Sequence, residues 1–104
     1  MKLLPEDIAK TLPKLYEQDS KGDAAIAYVK FFDPCSQWTW YAMEFDGDDT
    51  FFGLVIGFET ELGYFSLKEL EGVRNRFGLG IERDLYFKPM TLKELKDSQR
   101  IEIL

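Results

Sequence analysis

The chain has no histidine and one cysteine, Cys35. Lack of histidine removes the usual proton carrier near neutral pH and the commonest metal ligand. A single cysteine cannot close an internal disulfide, which fits a reducing, cytoplasmic setting. Cys35 lies in the loop Pro34-Cys35-Ser36 with no imidazole to activate it, so it is not a candidate nucleophile. No apolar run reaches the roughly 18–20 residues of a membrane span. The opening Met1-Lys2-Leu3-Leu4-Pro5-Glu6-Asp7 turns acidic at once, so no secretory leader is expected there. No glycine-rich phosphate loop is present, since Gly78-Leu79-Gly80 has the wrong continuation. Basic residues are missing where acids gather. From Phe31 through Leu67 the chain carries Asp33, Glu44, Asp46, Asp48, Asp49, Glu59 and Glu61 and no Lys or Arg.

That same region supplies the apolar mass. Tyr28 to Phe65 holds 12 of the 16 aromatic residues. The net charge is −6, from 13 basic and 19 acidic residues; the remaining 12 acids against 13 bases leave about +1 outside the window. One segment thus supplies both core and field. The length, 104 residues, predicts a single domain over 1–104, and 45% apolar residues suffice for a core without staples. A sequence pI near 4.6 argues against direct nucleic-acid binding, which needs a basic face.

Residues 2–16 read as an interrupted helix. Pro5, Glu6 and Asp7 suit its start, Leu4, Ile8, Leu12 and Leu15 recur at helical spacing, and Pro13 breaks it. The stretch 17–24 reads as a loop and 26–32 as a first strand, ended by Asp33-Pro34. Gln37 to Phe45 is a second strand, with Trp38, Trp40 and Ala42 on one face and Thr39, Tyr41, Met43 and Phe45 on the other. Two apolar faces predict a central position. Asp46-Gly47 signals a hairpin into a third strand, 51–59, and Glu59-Thr60-Glu61 turns into a fourth, 62–65. Ser66-Leu67-Lys68-Glu69 is a capping box opening a helix over 67–77, with Leu67, Leu70, Val73 and Phe77 as its apolar stripe and Gly78 as its stop. Residues 81–87 return to a strand pattern with Arg83 on the Ile81/Leu85 side. Thr91-Leu92-Lys93-Glu94 is a second capping box for a helix to about Lys96, and 99–104 is a tail or a short edge strand. The class is therefore α+β: an antiparallel meander of four to five strands with two or three short helices packed on one face.

Two groups of residues are candidates for a site. The acids Asp46, Asp48 and Asp49 lie in one hairpin loop and Glu59 and Glu61 in the next, at opposite ends of the sheet. They are either solvated turns or a negative surface that meets a basic partner. Asp46-Gly47-Asp48-Asp49 begins like a Ca²⁺ loop, but the closing Glu is replaced by Gly57, so no metal is assigned. The second group is Trp38, Trp40, Gly53, Gly57 and Arg83. The glycines either lie under a packed ring or helix, or floor a ligand groove that Arg83 reads. Arg83, between Glu82 and Asp84, is otherwise a partner for a carboxylate of the meander.

Leu12-Pro13, Lys30-Phe31-Phe32, Trp38-Thr39-Trp40-Tyr41, Glu44-Phe45, Phe52-Gly53-Leu54-Val55, Gly63-Tyr64-Phe65-Ser66-Leu67, Glu69-Leu70 and Glu82-Arg83-Asp84-Leu85 together resemble a small bacterial family catalogued as domain of unknown function 2958. The resemblance covers nearly the whole chain. It implies a stand-alone cytosolic protein, often carried on plasmids, integrated elements and phages beside anti-restriction and conjugation genes, and brings no catalytic residues. The expected function is a non-catalytic interaction protein that presents its acidic, aromatic-rich surface to a basic protein partner, of the anti-defence, nucleic-acid-mimic type. The alternative is a small-ligand or nucleotide-binding domain using the Trp/Gly groove and Arg83. No cofactor, membrane or direct nucleic-acid contact is expected.

Overall fold

The structure, a computed structural model, describes residues 2–99. The strands are β1 (Ile26–Ala27), β2 (Val29–Phe32), β3 (Thr39–Phe45), β4 (Thr50–Ile56), β5 (Thr60–Ser66), β6 (Glu82–Arg83) and β7 (Met90–Thr91). The helices are α1 (Glu6–Ala9), α2 (Leu67–Gly72) and α3 (Leu92–Gln99), with a 3-10 helix over Asp19–Ala24. Five strands form one sheet in the order β5-β4-β3-β2-β6, each antiparallel to its neighbours, and β1 pairs with β7 in a second sheet. This is the α+β meander expected, with β3 in the middle.

Both faces of the large sheet are covered. On the first, Leu3, Leu4, Leu12 and Leu70 pack on Val29, Phe31, Ala42, Phe45 and Phe51. On the second, Ala25, Ala27, Leu92 and Leu95 pack on Tyr41, Met43 and Leu54. The N-terminal segment and α2 thus share a face, while α3 lies on the other, so the helices are not all on one side. Burying side chains such as Phe31, Phe51 and Leu54 stabilises the fold by about 1.5–3 kcal/mol each. Phe45, Phe51 and Phe65 stack in sequence, with centroids 4.5 and 5.0 Å apart.

Several elements differ from expectation. The register of β3 on β4 slips between Ala42 and Glu44, leaving Met43 as a bulge. The extra residue resets the alternation, so Phe45 joins the Ala42 face rather than the Tyr41 face. The N-terminal helix shrinks to one turn, and 19–24, expected as a loop, forms 3-10 turns broken at Gly22, φ 53°. The strand over 26–32 divides into β1 and β2. α2 stops at Gly72 because Val73 turns extended, and the Arg74 guanidinium caps the last turn by donating to the Glu71 and Val73 carbonyls at 2.9 and 2.6 Å. Val73 and Phe77, read as part of an apolar stripe, are exposed. The strand over 81–87 reduces to β6 because the Asp84 carboxylate accepts the Tyr86 N–H at 2.9 Å and bends the chain. The tail expected over 99–104 lies, past Gln99, outside the described residues.

Candidate functional site

The hairpin acids divide by task. Asp46 Oδ1 accepts the N–H groups of Asp48, Asp49 and Thr50 at 2.8, 2.8 and 3.0 Å. These bonds, the Asp48 amide foremost, hold the carboxyl below its ordinary range. Asp49 reaches the next helix: Oδ1 accepts the Lys68 N–H at 2.8 Å and Oδ2 the Ser66 hydroxyl at 2.7 Å. The Lys68 amide is the main cause of its lowered pKa. Ser66 Oγ accepts the Glu69 N–H at 3.2 Å, which is one half of the expected capping box; the Glu69 carboxylate does not return a bond to the Ser66 N–H. The rest of the α2 cap comes from Asp49, seventeen positions before Ser66, a contact that local spacing does not reveal. Asp48 makes no side-chain hydrogen bond among the described residues. Glu59 and Glu61 are exposed at the other end of β4. About seven strand residues, roughly 20 Å, separate the two groups.

The structure does not bring the five groove residues to one opening. Trp38 lies over Gly57, where a Cβ would fall inside the ring, and a Cβ at Gly53 would meet the Tyr41 carbonyl. Both glycines are therefore sites of close approach within the protein. Trp38 stacks on Trp40 at 5.8 Å and meets Phe58 edge-on at 5.3 Å. Arg83 Nη1 donates to the Leu3 and Lys2 carbonyls at 2.9 and 3.3 Å. It ties down the N-terminal segment, and no meander carboxylate pairs with it; the neighbouring ion pair is Lys30–Asp84 at 3.7 Å. Cavities of about 320 and 120 Å³ that Arg83 lines include none of the other four.

A different depression lies on the second face. It has a volume of about 340 Å³ and runs between the 3-10 helix, α3 and β5. Met43, Phe52 and Leu62 form its floor, Asp19 and Glu44 its acidic side, and the Lys96–Asp23 ion pair at 2.7 Å lies along it. Glu44 is 3% exposed, and its two carboxyl oxygens accept the Tyr16 and Gln18 N–H groups at 2.8 and 2.9 Å. Gln18, also buried, donates to the Ile26 and Met43 carbonyls and accepts the Ile26 N–H. These bonds hold Tyr16 in left-handed backbone, φ 73°, with its ring exposed. The Tyr16 hydroxyl hydrogen-bonds Tyr64 and, with burial and the nearby Asp19 and Glu44, holds the Tyr64 phenol above its ordinary range. In the sequence Glu44 stands out only as one acid of the segment from Phe31 to Leu67, inside an otherwise apolar strand, and Gln18 and Tyr16 carry no signal of their own.

Among the described residues no three His, Cys, Asp or Glu side chains converge on a metal-sized site. No helix among them is long and apolar enough to cross a membrane. The second face gathers the Asp19 and Glu44 carboxylates and the exposed rings of Tyr16 and Tyr64. No curated protein and no solved structure matches the chain. Residues 3–97 match the model of a family described as "Protein of unknown function (DUF2958)", and the chain belongs to that family.

Proposed function

We propose that this protein acts by binding, as a non-catalytic interaction protein whose acidic, aromatic surface occupies a basic site on a protein partner. The observation that carries the reading is the run from Phe31 through Leu67, which builds β3, β4 and β5 without one Lys or Arg. Asp48, Glu59 and Glu61 stand exposed on it, and Asp19 adds charge beside Tyr64. Asp46 and Asp49 contribute charge while also holding the loop and α2. Such a field steers a cationic partner and speeds encounter. The family resemblance points to a mobile-element setting, where a basic nucleic-acid channel of a defence enzyme is the kind of site such a surface fits.

The test is affinity capture from bacterial lysate at low and high salt, with the wild type and with Asp48→Lys, Glu59→Lys, Glu61→Lys combined. These three positions leave the Asp46 turn and the Asp49 cap intact. The reading expects a basic protein that is released by salt and not retained by the variant. A specific partner indifferent to both salt and reversal overturns it, as does metal-dependent turnover of a nucleotide or glycan by the purified protein.

A further inference from the structure

β5 ends the large sheet, with β4 on one side and no strand on the other among the described residues. The phase of its hydrogen bonds is fixed at both ends of the ladder. Gly57 N–H donates to the Glu59 carbonyl, and Leu67 N–H donates to the Asp49 carbonyl. Both fall in step with the opposed pairs Phe51↔Phe65, Gly53↔Gly63 and Val55↔Glu61, so these are the hydrogen-bonded pairs. Thr60, Leu62 and Tyr64 therefore turn their N–H and C=O groups outward. Their side chains share the second face, with Phe52 at 5.1 Å from Tyr64 and the acidic depression alongside. Leu62 and Tyr64 are 38% and 57% exposed.

We propose that the outer edge of β5 takes an extended, lysine- or arginine-bearing segment of a partner protein as a sixth strand. The cationic residues of that strand lie opposite Leu62 and Tyr64. This rests on the reading above and specifies how the partner docks. An added strand satisfies the outward backbone groups of Leu62 and Tyr64. A residue directly opposite Leu62 or Tyr64 projects to the same face as they do. A lysine or arginine there lays its stem along Leu62 and Tyr64 and brings its charge toward Asp19 and the exposed rings of Tyr16 and Tyr64. Charge selects the occupant. Glu59 and Glu61 flank the edge and no basic residue lies on β3, β4 or β5. A second copy would bring the same carboxylates to a chain of net charge −6, whereas a cationic strand is drawn to that field; Glu61 itself projects with Val55 to the face opposite Leu62 and Tyr64, so it attracts such a strand without pairing with its lysines.

The test uses a short synthetic peptide with lysine at alternate positions and Val or Thr between, followed by titration and amide hydrogen exchange on the full chain. One version is N-methylated on its lysines and another on the intervening residues. The proposal expects salt-sensitive binding with new protection at the Thr60, Leu62 and Tyr64 amides. Methylation of the lysines, which removes the donors facing β5, weakens binding by about tenfold or more; methylation of the intervening residues does not. Salt-sensitive binding that leaves those three amides unprotected, or that ignores lysine methylation, overturns strand addition and leaves the acidic-surface reading in place. Failure of every cationic peptide to bind removes both. Concentration-dependent protection of the same amides in the free protein assigns the edge to a second copy and overturns the proposal.

Discussion

Replacing Glu44 is the sharpest probe of how the second face is built. Its two oxygens are the acceptors for the Tyr16 and Gln18 N–H groups, and the residue is 3% exposed. Glu44→Leu removes both acceptors and leaves two backbone donors without partners. An unsatisfied buried donor costs about 1–3 kcal/mol, so the pair amounts to roughly 2–6 kcal/mol. Leucine restores part of this by burying apolar surface beside Phe52 and Met43, which puts the expected loss at about 2–4 kcal/mol. Glu44→Gln keeps one acceptor and sets an NH₂ against the other N–H, so its loss should lie between those of Leu and wild type. Urea melts followed by tryptophan fluorescence read both, with an unchanged m-value if the fold is otherwise intact. The total stability of such a domain is about 5–15 kcal/mol, so the Leu variant should melt at visibly lower urea. A Glu44→Leu variant within about 0.5 kcal/mol of wild type would refute the assignment, because surface substitutions behave that way.

Three other outcomes follow from particular contacts. Gly53→Ala and Gly57→Ala drive a methyl into the Tyr41 carbonyl and the Trp38 ring, and each should destabilise more than Gly63→Ala, where nothing lies within 4 Å; thermal melts of the three variants rank them. Ser66→Ala should cost about 1 kcal/mol through loss of the α2 cap, and Asp48→Asn less than about 0.5 kcal/mol; equal losses in urea would misplace the start of the helix. Asp46 and Asp49 are held below the ordinary carboxylate value near 3.9. Their contribution is complete above that value and is lost as pH falls through their folded values, below about pH 4. Asp46→Asn and Asp49→Asn should each flatten that acid limb in denaturation curves taken from neutral pH downward.

The parts of the fold that were legible in the sequence are those decided locally. Two apolar faces placed β3 in the middle of the sheet, Asp46-Gly47 marked its hairpin, and Thr91-Glu94 marked the start of α3, where each residue accepts the other's N–H at 3.0 and 3.1 Å. The bulge at Met43 was not legible, because an alternating pattern looks the same with or without one unpaired residue. The helix expected to Phe77 failed for a similar reason. Spacing made Val73 and Phe77 a stripe, but the fold offers Phe77 nothing to cover and it remains 65% exposed. At the candidate site, the acids could be read as charge but not as caps. Asp49 finds Ser66 and Lys68 only when β4 and β5 bring them together. Glu44 finds Tyr16 and Gln18 across 28 and 26 positions. The open edge of β5 was likewise beyond reach, since it depends on which strand ends the sheet.

The most direct test of the central claim is the association rate of the alternating-lysine peptide as ionic strength rises, for the wild type and for the Asp48→Lys, Glu59→Lys, Glu61→Lys variant. The Debye length falls from about 10 Å at 0.1 M to about 3 Å at 1 M. The wild-type rate should fall steeply over that range, and the variant should be slow throughout with little dependence on salt. A wild-type rate that ignores salt and matches that of the variant contradicts binding through the acidic surface.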